Sequence, residues 1–133
     1  GHVLDARTGM QVAVLEKKFD AAEYTRQMYC LGAFYKWALL CIEANFDSYI
    51  NRELARLNYP KIYVSTKIDT YTNKPEKKYG FLTTKTTRPI IISYLIELVK
   101  KHPELLNDEN TINELVTIIK NEKGRIEAPE RRT

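Results

Sequence analysis

Trp37-Ala38-Leu39-Leu40-Cys41-Ile42-Glu43-Ala44-Asn45 is the stretch on which the fold turns. An apolar run without alternation stops at a carboxylate. A strand apolar on both sides reads as buried on both faces, and such strands sit centrally in layered α/β sheets. A Glu at its C-terminal end stands at the rim of the sheet, where open α/β folds bind ligands. Glu43 is therefore the sharpest candidate for chemistry. Its position alone also admits a plainer reading, a solvated carboxylate at a strand end.

On the N-terminal side, Val3-Leu4, the turn-rich Asp5-Ala6-Arg7-Thr8-Gly9 and a strand from Gln11 to Glu16 form an expected hairpin. A helix is expected from Asp20. Asp20 and Glu23 make the D-x-x-E form of a capping box, and Phe19 with Tyr24 the hydrophobic staple. Tyr24, Met28, Leu31 and Tyr35 recur at helical spacing and are expected to face the core.

On the C-terminal side, a second helix is capped by Asn45 or Asp47, lines one face with Ile50, Leu54 and Leu57, and stops at Tyr59-Pro60. Ile62-Tyr63-Val64 is a strand candidate. Thr70 to Lys78 is polar and reads as an exposed excursion, either a loop or a hairpin, broken by Gly80-Phe81. A third helix is capped by Thr87, with Pro89 in its first turn. Ile91, Tyr94, Leu95, Leu98 and His102 mark its apolar face, and Pro103 ends it. Asn107 to Asn110 is a polar turn. Ile112 to Lys120 is a short helix or strand, Glu122-Lys123-Gly124 a turn, and Arg125 to Ala128 a returning strand.

The 133 residues fit one compact domain, 1–133, and the 44% hydrophobic and 29% charged content are ordinary for a globular chain. No apolar run reaches the roughly 20 residues a membrane helix needs, and no membrane partner is expected. Cys30 and Cys41 have no zinc spacing and read as buried free thiols suited to a reducing cytoplasm. His2 and His102 are too isolated for a metal site, and His102 reads as a dipole contact at a helix C-terminus. No phosphate-binding G-x-x-x-x-G-K-[ST] occurs.

The net charge of +4 is unevenly placed. Between Lys61 and Arg88 there are seven basic residues against two acidic ones, Asp69 and Glu76, so that window carries +5 and the rest −1. Lys67, Lys74, Lys77, Lys78, Lys85 and Arg88, with Tyr71 and Tyr79 between them, read as a phosphate-tracking surface. They read equally as a solvated loop over packed tyrosines.

Several blocks, in order, resemble the nuclease domain of phage terminase large subunits. Ile42-Glu43-Ala44-Asn45 resembles its acidic strand end, Tyr59-Pro60-Lys61-Ile62-Tyr63 the segment after the next helix, and Gly80-Phe81-Leu82-Thr83 with Thr87-Arg88-Pro89 its Gly-Phe-x-Thr block and helix start. Glu114-Leu115 and Gly124-Arg125-Ile126-Glu127-Ala128 resemble the last stretch before its closing acidic motif. The resemblance runs from about Val3 to Glu130. It implies an α/β, ribonuclease H-like mixed sheet flanked by helices, and a metal-dependent endonuclease cleaving double-stranded viral DNA during genome packaging. It also implies Mg²⁺ or Mn²⁺ held by carboxylates, Glu43 being the catalytic and metal-binding match.

Small terminase subunit and portal would be partners, and the cytoplasm of an infected bacterial host the location. The family's first catalytic Asp precedes the opening hairpin, and its closing acidic pair would follow Thr133. The expectation is therefore a domain lacking its first strand, weakly active or inactive by itself, whose unpaired sheet edge drives dimerisation. Asp47 stands where relatives often carry Gly. The alternative function is a non-catalytic DNA- or partner-binding module of the same fold.

Overall fold

The computed structural model describes residues 1–44, 49–116, 119–120 and 126–127. They form a mixed α/β chain that divides into two compact units. One comprises Gly1–Glu16 and Tyr94–Thr133, and the other Lys17–Ser93.

The larger unit opens with α1, Ala21–Phe34. Asp20 caps it as expected, its carboxylate accepting the Glu23 N–H at 2.8 Å. Glu23 completes no reciprocal bond of a capping box; its carboxylate takes the Arg26 guanidinium and the Gln27 amide. Phe19 and Tyr24 meet as the staple, ring centroids 6.2 Å apart. Met28 is buried, Tyr24, Leu31 and Tyr35 half-buried. The helix ends without glycine. Lys36 and Trp37 both take left-handed backbone, φ 57° and 58°, and the Ala38 N–H returns to the Gly32 carbonyl at 3.1 Å.

After the Trp37–Ala44 run comes α2, Tyr49–Arg56, which packs on α1. Asn45 and Asp47, the expected caps, lie outside the described residues. Asn58, at φ 58°, closes α2: the Tyr59 N–H reaches the Leu54 carbonyl at 3.0 Å, a Schellman-type closure one turn ahead of Pro60. Tyr59, buried, stacks edge-on against Tyr29 at 5.6 Å and tilts against Trp37 at 5.7 Å. Met28, Leu40, Ile42, Leu54 and Tyr59 are the buried apolar residues among the described residues of this unit. Leu57, expected on the core face, is exposed.

The Trp37–Ile42 run, expected as a central strand, forms only isolated parallel bridges among the described residues and is not buried on both faces. Leu40 and Ile42 are buried, but Leu39 is 59% exposed and Cys41 is exposed. Its parallel partners come in sequence. Leu40 bridges Ile62, then Glu43 bridges Phe81. The Leu40 N–H donates to the Lys61 carbonyl, and the Phe81 N–H donates to the Ile42 carbonyl, both at 2.9 Å. These bonds all use even-numbered residues of the run. Among the described residues, the backbone groups of Leu39, Cys41 and Glu43 face no partner strand. Both cysteines are exposed rather than buried, Cys30 on the outer face of α1 and Cys41 on this open strand.

The excursion is a hairpin. β3, Val64–Ile68, pairs antiparallel with β4, Pro75–Tyr79. Every β4 residue is exposed, and in β3 only Ser65 is half-buried. Next, α3 runs from Thr87 to Lys101. Thr84 shares the capping with Thr87: its hydroxyl accepts the Thr87 N–H at 3.0 Å, and the Thr87 hydroxyl accepts the Thr84 N–H at 2.8 Å. Leu95 and Leu98 are half-buried, whereas Ile91, Tyr94 and His102 are exposed, Tyr94 at 70%.

In the smaller unit, β1, His2–Leu4, and β2, Gln11–Val14, form the expected hairpin. A 3-10 turn at Pro103–Leu105 leads to α4, Glu109–Val116. The polar turn ends in its cap, the Asp108 carboxylate accepting the Thr111 N–H at 2.8 Å. Gln11, buried, ties the hairpin to this cap. Its side-chain oxygen accepts the Asn107 and Asp108 N–H groups, and its side-chain nitrogen donates to Thr111 Oγ1. β5, Ile119–Lys120, and β6, Ile126–Glu127, pair antiparallel; the Glu122–Gly124 turn lies outside the described residues. The described helices include none long and apolar enough to cross a membrane.

Candidate functional site

Glu43 ends the half-buried, bridged run and is exposed. Its backbone position is fixed from both sides in sequence, by the Phe81 N–H on the Ile42 carbonyl and by the Ala44 N–H on the Phe81 carbonyl, each at 2.9 Å. In parallel pairing, Glu43 and Phe81 share a face of the sheet. Phe81 in turn packs on Tyr63, ring centroids 6.3 Å apart. The carboxylate thus stands in water beside a small aromatic surface.

Gly80 makes this pairing possible. Its φ is +92°, a backbone region side chains avoid. A Cβ there would lie 2.6 Å from both the Ile42 carbonyl oxygen and Asn51 Nδ2. Asn51 is the residue that the sequence reading missed. It is 1% exposed, on the inward side of α2, and neither amide atom has a hydrogen-bond partner among the described residues. Its position three residues before Leu54 on a helical face was the available signal.

The six candidate DNA-binding residues divide by location. Lys67, Lys74, Lys77 and Lys78 belong to the β3–β4 hairpin. In its register Lys67 lies opposite Glu76, Ser65 opposite Lys78, and Thr66 opposite Lys77. Partners across a ladder share a face, and neighbours along a strand alternate. Lys67 and Lys78 therefore occupy one face and Lys77 the other, with Lys74 in the turn. Lys85 and Arg88 follow the hairpin, in the capping turn and first turn of α3, and Arg88 has an interaction of its own. The hairpin is rooted beside Glu43, because Tyr79 ends β4 two residues before Phe81, the bridge partner of Glu43. Five residues of strand carry the turn roughly 17 Å from that root. On duplex DNA this is a span of about five base pairs.

Residues that could hold a metal are fewer. Glu43 offers the hard oxygen that Mg²⁺ or Mn²⁺ prefers. Among the described residues, no three His, Cys, Asp or Glu side chains gather closely enough to hold an ion. The described part of this chain therefore does not by itself fit a two-metal site. The chain matches no family model, no curated protein and no solved structure.

Proposed function

We propose that this chain is the ribonuclease H-like nuclease domain of a viral DNA-packaging terminase large subunit, a metal-dependent endonuclease for double-stranded DNA. The observation that carries the reading is Glu43: an exposed carboxylate held by a parallel bridge to Phe81, next to the root of a lysine-bearing hairpin. A nuclease needs that combination, an oxygen ligand for a cation beside cations for the flanking phosphates. Small terminase subunit and portal are the partners this reading implies, and the infected bacterial cytoplasm its place. Glu43 supplies one ligand only, so no cleavage step is assigned to the described residues.

The lone carboxylate favours a second reading, a non-catalytic DNA- or partner-binding module of the same fold. Plasmid nicking with Mn²⁺ separates the two. This chain, a version carrying the residues encoded on either side, and that version with Glu43→Ala are compared. Cleavage by the longer chain, lost on Glu43→Ala, supports the nuclease. No cleavage by the longer chain leaves Glu43 an ordinary strand-end carboxylate.

A further inference from the structure

The tip of the β3–β4 hairpin presents an aromatic ring that packs on nothing. Tyr71 is 97% exposed. The turn holding it is tightly built. The Asp69 N–H donates to the Lys74 carbonyl at 3.0 Å, and the Asn73 N–H to the Asp69 carbonyl at 2.9 Å. Asn73 takes left-handed backbone, φ 53°, a conformation Asn tolerates well. The Asp69 carboxylate accepts the Tyr71 N–H at 2.8 Å and the Thr72 N–H at 3.4 Å. Those N–H groups, the Tyr71 one foremost, hold the Asp69 carboxyl below its ordinary pKa. The ring is thus offered from a fixed backbone, which lowers the ordering cost of a contact made there.

The charges around it are lopsided. Of the two hairpin acids, Asp69 is spent on the turn and Glu76 lies directly across from Lys67. Lys74, Lys77 and Lys78 have no carboxylate partner among the described residues. Lys77 and Lys78 extend from opposite faces of the ribbon, and Lys74 sits in the turn. A lone exposed aromatic residue is ordinary. One clamped at a tip between unpaired cations on both faces complements a polyanion that carries flat rings. A base inside a duplex has both faces covered by its neighbours, so a tip residue stacks on an unpaired base.

We infer that Tyr71 is a stacking platform for an unpaired nucleobase in single-stranded or frayed DNA, with Lys74, Lys77 and Lys78 neutralising the phosphates on either side of it. This rests on reading the hairpin as a DNA contact, and it adds strand state as the feature recognised.

The test is fluorescence anisotropy with a labelled oligothymidylate of about 15 nucleotides and a blunt duplex of similar length, from about 50 to 200 mM salt. The chain is expected to bind both. Tyr71→Ala should weaken single-strand binding about ten- to hundredfold, leave duplex binding unchanged and leave the salt slope unchanged. Tyr71→Trp should restore it. Replacing Lys74, Lys77 and Lys78 by Gln should flatten the log–log salt slope on the single strand by about 2. Wild-type single-strand affinity in Tyr71→Ala, with duplex binding intact, overturns the stacking role alone. Equal losses on both DNAs overturn it too. Absence of binding to either DNA by the unaltered chain at about 50 mM salt overturns the stacking role together with the DNA reading.

Discussion

Gly32→Ala is the substitution for which local and tertiary effects predict opposite outcomes. Gly32 lies inside α1. There, replacing Gly by Ala ordinarily stabilises a helix by about 1 kcal/mol. Here the new methyl would fall on the Tyr59 ring, 2.8 Å from Cζ and 3.0 Å from Cε2, and inside the space of the hydroxyl. That hydroxyl donates to the Ala38 carbonyl, and the ring contacts both Tyr29 and Trp37. Moving the ring costs about 1–3 kcal/mol of overpacking. It also costs about 1 kcal/mol for the hydrogen bond and about 1 kcal/mol across the ring pairs. After the helical gain is subtracted, a net loss of about 2–4 kcal/mol remains. Trp37, the sole tryptophan, sits in this cluster and reports on it. Urea unfolding followed by its fluorescence should show the midpoint falling by roughly 1–2 M. Pairing Gly32→Ala with Tyr59→Phe removes the worst-placed atom, so the double variant should be more stable than the sum of the singles by about 1 kcal/mol. A midpoint that rises for Gly32→Ala alone refutes the reasoning, because it would mean that no ring lies over Gly32.

Other outcomes follow from the same geometry. Gln11→Ala strips the α4 cap of its acceptor and should destabilise the smaller unit by about 2–3 kcal/mol, seen as faster hydrogen exchange at Asn107 and Asp108; unchanged exchange there would refute the clasp. The Asp108 carboxyl is held below its ordinary value, chiefly by the Thr111 N–H. Its contribution is therefore complete above the unfolded pKa near 4 and fades as pH falls through the lower folded value. An acid titration of Asp108→Asn should accordingly lack a component that the wild type shows below about pH 4. Asn51→Leu removes a buried amide without a bond to any described residue and should leave stability unchanged or raise it by about 1–2 kcal/mol; a marked loss would reveal a partner for the amide in solution. The edge at Leu39, Cys41 and Glu43, unpaired among the described residues, can pair with its own copy antiparallel about Cys41. That arrangement puts two Cys41 Cα atoms about 5.5 Å apart, within disulfide reach. Mild oxidation of concentrated protein should give a dimer that Cys41→Ser abolishes and Cys30→Ser does not. A monomer in sedimentation at high concentration refutes it.

Much of the local structure was legible because its causes are local. The Asp20 cap, the Phe19–Tyr24 staple and the turn-rich Asp5–Gly9 segment are each local and each formed, while the Glu23 half of the capping box did not. The Trp37–Ile42 run was misjudged because apolarity was taken as burial on both faces. Leu39 and Cys41 are apolar yet exposed: side chains alternate, Leu40 and Ile42 turn inward, and the face that carries Leu39 and Cys41 is left open among the described residues. α1 ends on Lys36 and Trp37 in left-handed backbone, with no Gly or Pro to announce it. Gln11 is buried by a cap almost a hundred residues away, and no window of sequence contains both. At the candidate site, the run ending at Glu43 reads in sequence as a strand, whereas the structure holds it by isolated parallel bridges at Leu40 and Glu43. The placement of the lysines on two faces was not legible, because it depends on the register of a hairpin whose turn the sequence does not mark.

Tyr63 and Gly80 are already joined. The Gly80 N–H donates to the Tyr63 carbonyl at 2.7 Å, and Leu40 and Glu43 are served by Ile62 and Phe81 on either side of that bond. Everything between, the whole of β3, its turn and β4, leaves the sheet and returns to the same place. It is a cassette with a closed neck. The closure cost of such a loop grows only with the logarithm of its length, so lengthening, trimming or exchanging it should perturb the sheet little. Lineages carrying this scaffold would be free to change what the finger reaches while Glu43 and its strand stay where they are.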